Sequence, residues 1–150
     1  MKTNRIRKQI EIKAPISRVW RALTNHREFS QWFGVKLEGP FKEGKRARGQ
    51  ITYPGFEHLT MEVEVQKLEP ETYFSYTWHP FAIDPAVDYS GETPTLVEFH
   101  LEEKKGGTLL VVTETGFLQI PAGRRAKAFR MNSSGWAEQM TNIKKHVAKK

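Results

Sequence analysis

The hydrophobic positions of this chain follow two periods in turn. Ile6, Ile10 and Ile12 alternate with polar residues, the pattern of a strand with one wet face. After Ala14-Pro15, the residues Ile16, Val19, Trp20 and Leu23 recur at i, i+3, i+4 and i+7, and proline is pre-set for a first helical turn. Phe29, Trp32 and Phe33 mark a second short helix, with Gly34 placed to stop it. From Val35 to Thr115 the period falls to two. Leu59, Met61, Val63 and Val65 alternate with polar residues, as do Phe74, Tyr76 and Trp78, and then Val97, Phe99 and Leu101. Thr108 to Thr115 is continuously apolar in its middle and rich in β-branched side chains. Pro54-Gly55, Glu69-Pro70-Glu71 and Lys104-Lys105-Gly106-Gly107 carry turn chemistry, so these strands are joined as hairpins and the sheet is antiparallel. Only His79 to Pro94 lacks a period, and it holds three prolines. A connection that long in a compact fold is often functional.

The last segment returns to the helical period. Ala126, Phe129, Ser133, Trp136, Met140, Ile143 and Val147 step by 3 and 4, which predicts one continuous face about 30 Å long. Lys144, Lys145, Lys149 and Lys150 gather at its C-terminal end, where positive charge complements the helix dipole. A long amphipathic helix has one stripe to bury, and the sheet has one apolar face to cover, so the two pack together. The predicted fold class is α+β, a helix-grip arrangement of residues 1–150 as one domain. A curved antiparallel sheet of about six or seven strands wraps around the C-terminal helix, with two short helices after the first strand.

Asn132-Ser133-Ser134-Gly135 puts small or polar residues, poor in helix propensity, into the middle of that helix. They mark a kink or a tight helix–sheet contact, or else the roof of a cavity. For a cavity the expected lining is Trp32 and Phe33 from the second helix, with Met61, Val63, Phe74, Tyr76, Trp78, Val97 and Phe99 from the sheet. Phe129, Ser133, Trp136 and Met140 complete it from the long helix. A one-residue slip of the Tyr73–Trp78 strand would turn its whole set outward.

Composition narrows the function classes. The chain has no cysteine, which removes disulfides, thiolate metal sites and cysteine nucleophiles and suits a reducing compartment. No apolar core follows the N-terminal basic residues, and no apolar run is long enough to span a bilayer, so a cytoplasmic protein without membrane contact is expected. The net charge is +7, but the 24 basic residues are dispersed over several segments and interleaved with 17 acids. A nucleic-acid partner is therefore not expected.

The common catalytic signatures are missing: no nucleophile elbow, P-loop, dinucleotide-binding glycines or zinc-binding helix motif. No two of the five histidines stand at metal-ligand spacing. His100 alternates with Glu98 and Glu102 and is read as facing water, and His146 as part of the basic helix end. His79, Asp84 and Asp88 in the long connection form the one cluster with metal or acid–base chemistry, at a spacing that fits no known metal loop. Asn132-Ser133-Ser134 matches a glycosylation acceptor, but on a predicted helix. No catalytic residue, metal or cofactor is assigned.

Several stretches resemble a known family. Ile12 to Thr24, reading IKAPISRVWRALT, resembles the opening helix of the START-like superfamily, which includes polyketide cyclases and lipid-transport proteins. Phe29-Ser30-Gln31-Trp32-Phe33-Gly34, Leu68-Glu69-Pro70, Phe74 to Pro80 and Gly135-Trp136 are similar to the branch named after activators of the heat-shock protein 90 ATPase. The resemblance runs from about Arg5 to Val147 and implies a helix-grip fold with a hydrophobic cavity. Three functions compete. The first is non-catalytic binding of a small hydrophobic or aromatic molecule. The second is a protein–protein adaptor or co-chaperone-like stress factor, partnered by a chaperone or another protein. The third is an aromatase or cyclase, with Tyr76, His79 or Ser133 as proton donors.

Overall fold

Each alternating segment becomes a strand of one antiparallel sheet. The structure is a computed structural model and describes residues 5–80, 82, 84 and 86–149. Strand β1 (Arg5–Ile12) is followed by helices α1 (Ile16–Thr24) and α2 (His26–Phe33). Strands β2 (Val35–Leu37), β3 (Arg46–Ile51), β4 (Thr60–Glu69), β5 (Tyr73–Trp78), β6 (Thr95–Lys104) and β7 (Gly107–Thr115) come next. A 3-10 turn at Phe117–Gln119 leads into α3 (Ala122–Lys149). The seven strands run in the order β1-β7-β6-β5-β4-β3-β2, so the chain meanders from β2 to β7 and β1 closes on β7. A register shift between Val65 and Lys67 bends β4, the kind of bulge that curves a sheet around a helix.

Local chemistry explains the short helices. Pro15 is the N-cap of α1, one position before the helix, with extended backbone. The Asn25 side chain accepts from the backbone N–H groups of Arg27 and Glu28 and so caps α2. Gly34 ends α2 in the left-handed conformation at φ 90°, as its position in the sequence predicts. The Trp32 indole donates 2.8 Å to the Ala22 carbonyl and ties α2 to α1.

The concave sheet face and α3 share one core. Phe74, Tyr76, Val97, Phe99, Leu110 and Val112 are fully buried on the sheet, and burial of each such large apolar side chain contributes roughly 1.5–3 kcal/mol. The inward parity of β5 is thereby settled. On α3 the buried line is Ala128, Trp136, Met140, Ile143 and Val147, and Ala126 is exposed. The reason is geometric. A strict 3-4 repeat has a period of 3.5 and drifts about 20° per heptad on a 3.6-residue helix, so the N-terminal end of the predicted face has rotated to the surface. His146 stands in the basic last turn of α3, and its Nε2 lies 2.9 Å from Glu28 on α2. Burial alone would raise the Glu28 carboxyl, but hydrogen bonds from His146, Arg18 and Arg21 outweigh it and hold it below its ordinary value.

Candidate functional site

Where α3 passes the end of α2, helices and sheet do not close on one another. The gap is a cleft of about 1130 Å³. Trp32 and Phe33 from the last turn of α2 and Trp78 from the end of β5 give it an aromatic wall. Tyr53 and Phe56 from the β3–β4 connection and Met131 from α3 form an apolar lip, and all three are exposed. Large exposed apolar side chains grouped around one opening are uncommon on a protein without a ligand or partner there. Along α3 the wall is polar, with Asn132, Ser134, Gln139 and Asn142 facing the gap.

The small mid-helix residues now have an account. α3 is continuous from Ala122 to Lys149, and a Cβ placed on Gly135 would meet nothing within 4 Å. No tight helix–sheet contact requires glycine there. The residue borders open space.

Of the residues expected to line a cavity, Trp32, Phe33, Met61 and Trp78 come together on the cleft. Trp136 lines a smaller recess at its base, shared with Phe33, Trp78, Asn132, Gly135 and Gln139. Val63, Phe74, Tyr76, Val97, Phe99 and Met140 lie beneath, in the closed core. Their rings and chains meet each other there: Phe74 reaches Phe41 at 5.1 Å and Phe99 at 5.8 Å, and Phe99 reaches Trp136 at 5.6 Å. Phe129 packs on Phe117 with ring centroids 5.0 Å apart, and Ser133 stands beside the lining, between Asn132 and Ser134.

A residue that the sequence reading passed over sits under this site. Glu114 occupies an inward position of β7 and is completely buried. Its Oε1 accepts from the Trp136 indole at 2.9 Å and from Asn132 Nδ2 at 2.9 Å. Its Oε2 accepts from the Trp78 indole at 2.8 Å, from the Thr95 hydroxyl at 2.6 Å and from Asn132 at 3.2 Å. Four uncharged donors from β5, β6 and α3 thus converge on one carboxylate, which clamps the long helix to the sheet. The parity of β7 carried the signal: Glu114 follows Thr108, Leu110 and Val112 at steps of two, and all of these point inward. Nearby, Tyr76 has a buried hydroxyl without a hydrogen-bond partner among the described residues, and burial, then the charge of Glu114, push it well above its ordinary value.

The long connection contributes His79 and Tyr89 to the cleft, and its end is fastened to α3. Arg124 grips Glu92 through a forked ion pair of 2.6 and 3.1 Å, donates to the Pro80 carbonyl and lies 4.7 Å from the Tyr89 ring centre. Asp84 and Asp88 are each engaged in a local turn, accepting from the backbone of Ala86 and Ser90. No group of three acidic or histidine side chains among the described residues stands close enough to hold a metal ion.

His79 Nδ1 is buried with no hydrogen-bond partner among the described residues. Burial lowers its affinity for a proton, with the Glu92 charge opposing and Arg124 reinforcing that shift. The folded chain therefore binds this proton less readily than the unfolded chain, whose histidine titrates near 6.5. Stability is expected to be fully present above that pH and to fall as pH drops below it. Urea midpoints measured at several values between about pH 5 and pH 8 check this. His79→Gln should flatten that part of the profile, and an unchanged slope would remove His79 as its source.

Residues 13–148 match the sequence pattern of the family described as Activator of Hsp90 ATPase homolog 1-like protein. The chain belongs to this family. No curated protein matches it. Among solved structures it is similar to MLL2253 from Mesorhizobium loti, at 23% identity and TM-score 0.76, with 97% of each chain covered. It is also similar to the Aha1 dimer from Colwellia psychrerythraea, at 18% identity and TM-score 0.71, covering 97% of this chain and 95% of that one. DynU16, a protein in the dynemicin biosynthetic locus, matches at 21% identity and TM-score 0.75 over 98% of this chain, which spans only 48% of DynU16. These likenesses establish a shared helix-grip fold. No helix among the described residues is long and apolar enough to cross a membrane.

Proposed function

We propose that this member of the family binds a small hydrophobic or aromatic molecule in the cleft between α3, α2 and the sheet, without transforming it. The observation that carries this reading is the cleft of about 1130 Å³, aromatic within and apolar at its lip, roofed by a glycine that borders open space. A concave, mostly apolar site with a few placed polar groups is the usual form of a small-molecule site. The polar wall of α3 orients the occupant, and the aromatic wall supplies most of its burial.

Native mass spectrometry of the purified chain beside a denatured control, followed by thermal-shift screening, tests the reading. The screen uses fatty acids, flavonoids and polyketide-like aromatics, and a binder raises the melting temperature in proportion to occupancy. Gly135→Leu supplies the control. Leucine is the better helix former by about 0.8–1 kcal/mol and projects into the gap. The variant should melt no lower than the natural chain and lose the ligand-induced shift. A screen without a single binder, together with a clean unliganded mass, would overturn the proposal. The adaptor reading, which rests on the family's name, would then lead. Stimulation of a bacterial heat-shock protein 90 ATPase by the purified chain supports that reading, and no effect at high excess counts against it.

A further inference from the structure

The recess at the base of the cleft holds a polar group fixed in one orientation. It is bounded by Phe33, Trp78, Asn132, Gly135, Trp136 and Gln139 and encloses about 130 Å³. That is close to the roughly 150 Å³ of engineered protein cavities that accept a benzene molecule. Each donor nitrogen on its walls already makes a hydrogen bond. The indole N–H groups of Trp78 and Trp136 both point at Glu114, and an indole has no second donor to offer. Gln139 Nε2 donates to the Phe33 carbonyl at 3.2 Å, and its Oε1 accepts from Asn142 at 3.0 Å.

Asn132 decides what remains. Its amide nitrogen lies 2.9 and 3.2 Å from the two Glu114 oxygens. A carboxylate only accepts, so the amide cannot flip without turning oxygen against oxygen. The Asn132 carbonyl is thereby held away from Glu114, and it meets no protein donor among the described residues. Asn132 borders both the recess and the main cleft. Beside indole donors already spent on Glu114, the recess presents one fixed, free acceptor at Asn132, with one further N–H of the Gln139 amide on another wall.

We propose that Asn132, locked by Glu114, is a specificity-determining residue that selects ligands whose aromatic end carries a hydrogen-bond donor, a hydroxyl or an N–H, over those that carry only an acceptor. This deepens the ligand-binding reading and rests on it. The ring lies in the recess beside Phe33, Trp78 and Gly135, and its donor meets the Asn132 carbonyl. Asn132 touches the ligand, whereas Glu114 acts through it as a positioning residue. A site built to pair with a ligand O–H discriminates strongly against the analogue that lacks it, because its own polar group is left without a partner.

The test is calorimetric titration of the full chain with three probes: 2-naphthol, 2-methoxynaphthalene and 2-acetylnaphthalene. The ether is more apolar than the alcohol, so burial alone ranks it first. The natural chain should bind 2-naphthol about fivefold to tenfold more tightly than either donor-free probe. In Asn132→Leu that ratio should fall to about one. Equal affinities in the natural chain, or a preference that survives in Asn132→Leu, would overturn the assignment while leaving the ligand-binding reading intact. Failure of all three probes to bind the natural chain would overturn both. The comparison among probes on the natural chain decides the matter even if the variant does not fold.

Discussion

Glu114→Gln is expected to unfold at a lower urea concentration than the natural chain, with a loss of about 2–4 kcal/mol. The substitution keeps the shape but turns one acceptor oxygen into an NH₂ group. That group then faces two indole N–H groups that have no other acceptor, while the Thr95 hydroxyl can turn to the Trp78 carbonyl at 3.5 Å and the Asn132 amide can flip. A buried donor left unsatisfied costs about 1–3 kcal/mol, and more than one is affected. Relief from burying a charge among neutral groups works the other way and keeps the net loss below the sum. Near-UV circular dichroism should weaken as well, since Trp78 and Trp136 lose the anchor that fixes their rings. Glu114→Leu separates the two contributions, because it removes the charge and every acceptor together. A urea midpoint for Glu114→Gln equal to that of the natural chain would mean that this carboxylate is not the clamp between helix and sheet.

Phe74→Ala should cost about 3–5 kcal/mol, the range for emptying a large aromatic site in a closed core. Phe74 is fully buried, and its ring contacts Phe41, Tyr76 and Phe99 at 5.1–5.8 Å, so no neighbour can fall into the space without leaving another contact. The sequence pattern counts Phe74 among the cavity-lining residues, and the structure places it below the floor. Its loss should therefore lower the melting temperature and leave probe affinity unchanged, measured well below the transition. Trp78→Ala, on the wall itself, should change both. A large drop in probe affinity for Phe74→Ala at a temperature where it remains folded would move the site inward, to the position the sequence pattern alone assigns to it.

These expectations turn on a distinction between facing inward and facing a cavity. Period-two alternation tells which side of a sheet a residue occupies, and it placed Val63, Phe74, Tyr76, Val97 and Phe99 correctly on the concave side. It carries no information on whether the opposing layer reaches them. Trp136 reaches the Phe99 ring and Met140 is buried in the same core, while a cleft separates the other side of α3 from the β3–β4 connection. The cleft therefore runs along α3 from Met131 to Lys149, beside the closed core and not within it.

The order of elements, the antiparallel meander, the stop at Gly34 and the pairing of sheet with long helix were all legible in the residues, because each rests on local periodicity or local turn chemistry. The resemblance to the activator family was legible for the same reason, since its motifs are short and contiguous. The Glu114 clamp was not. Its four donors come from Trp78, Thr95, Asn132 and Trp136, up to 36 positions away, and no spacing rule relates them. A glutamate at the inward parity of β7 hinted at a buried charge, but only the packed helix supplies the partners that make burial tolerable. The open space beside Gly135 and the outward rotation of Ala126 are of the same kind. They follow from the accumulated twist of a long helix laid against a bent sheet, a geometry that exists only once the two are packed together.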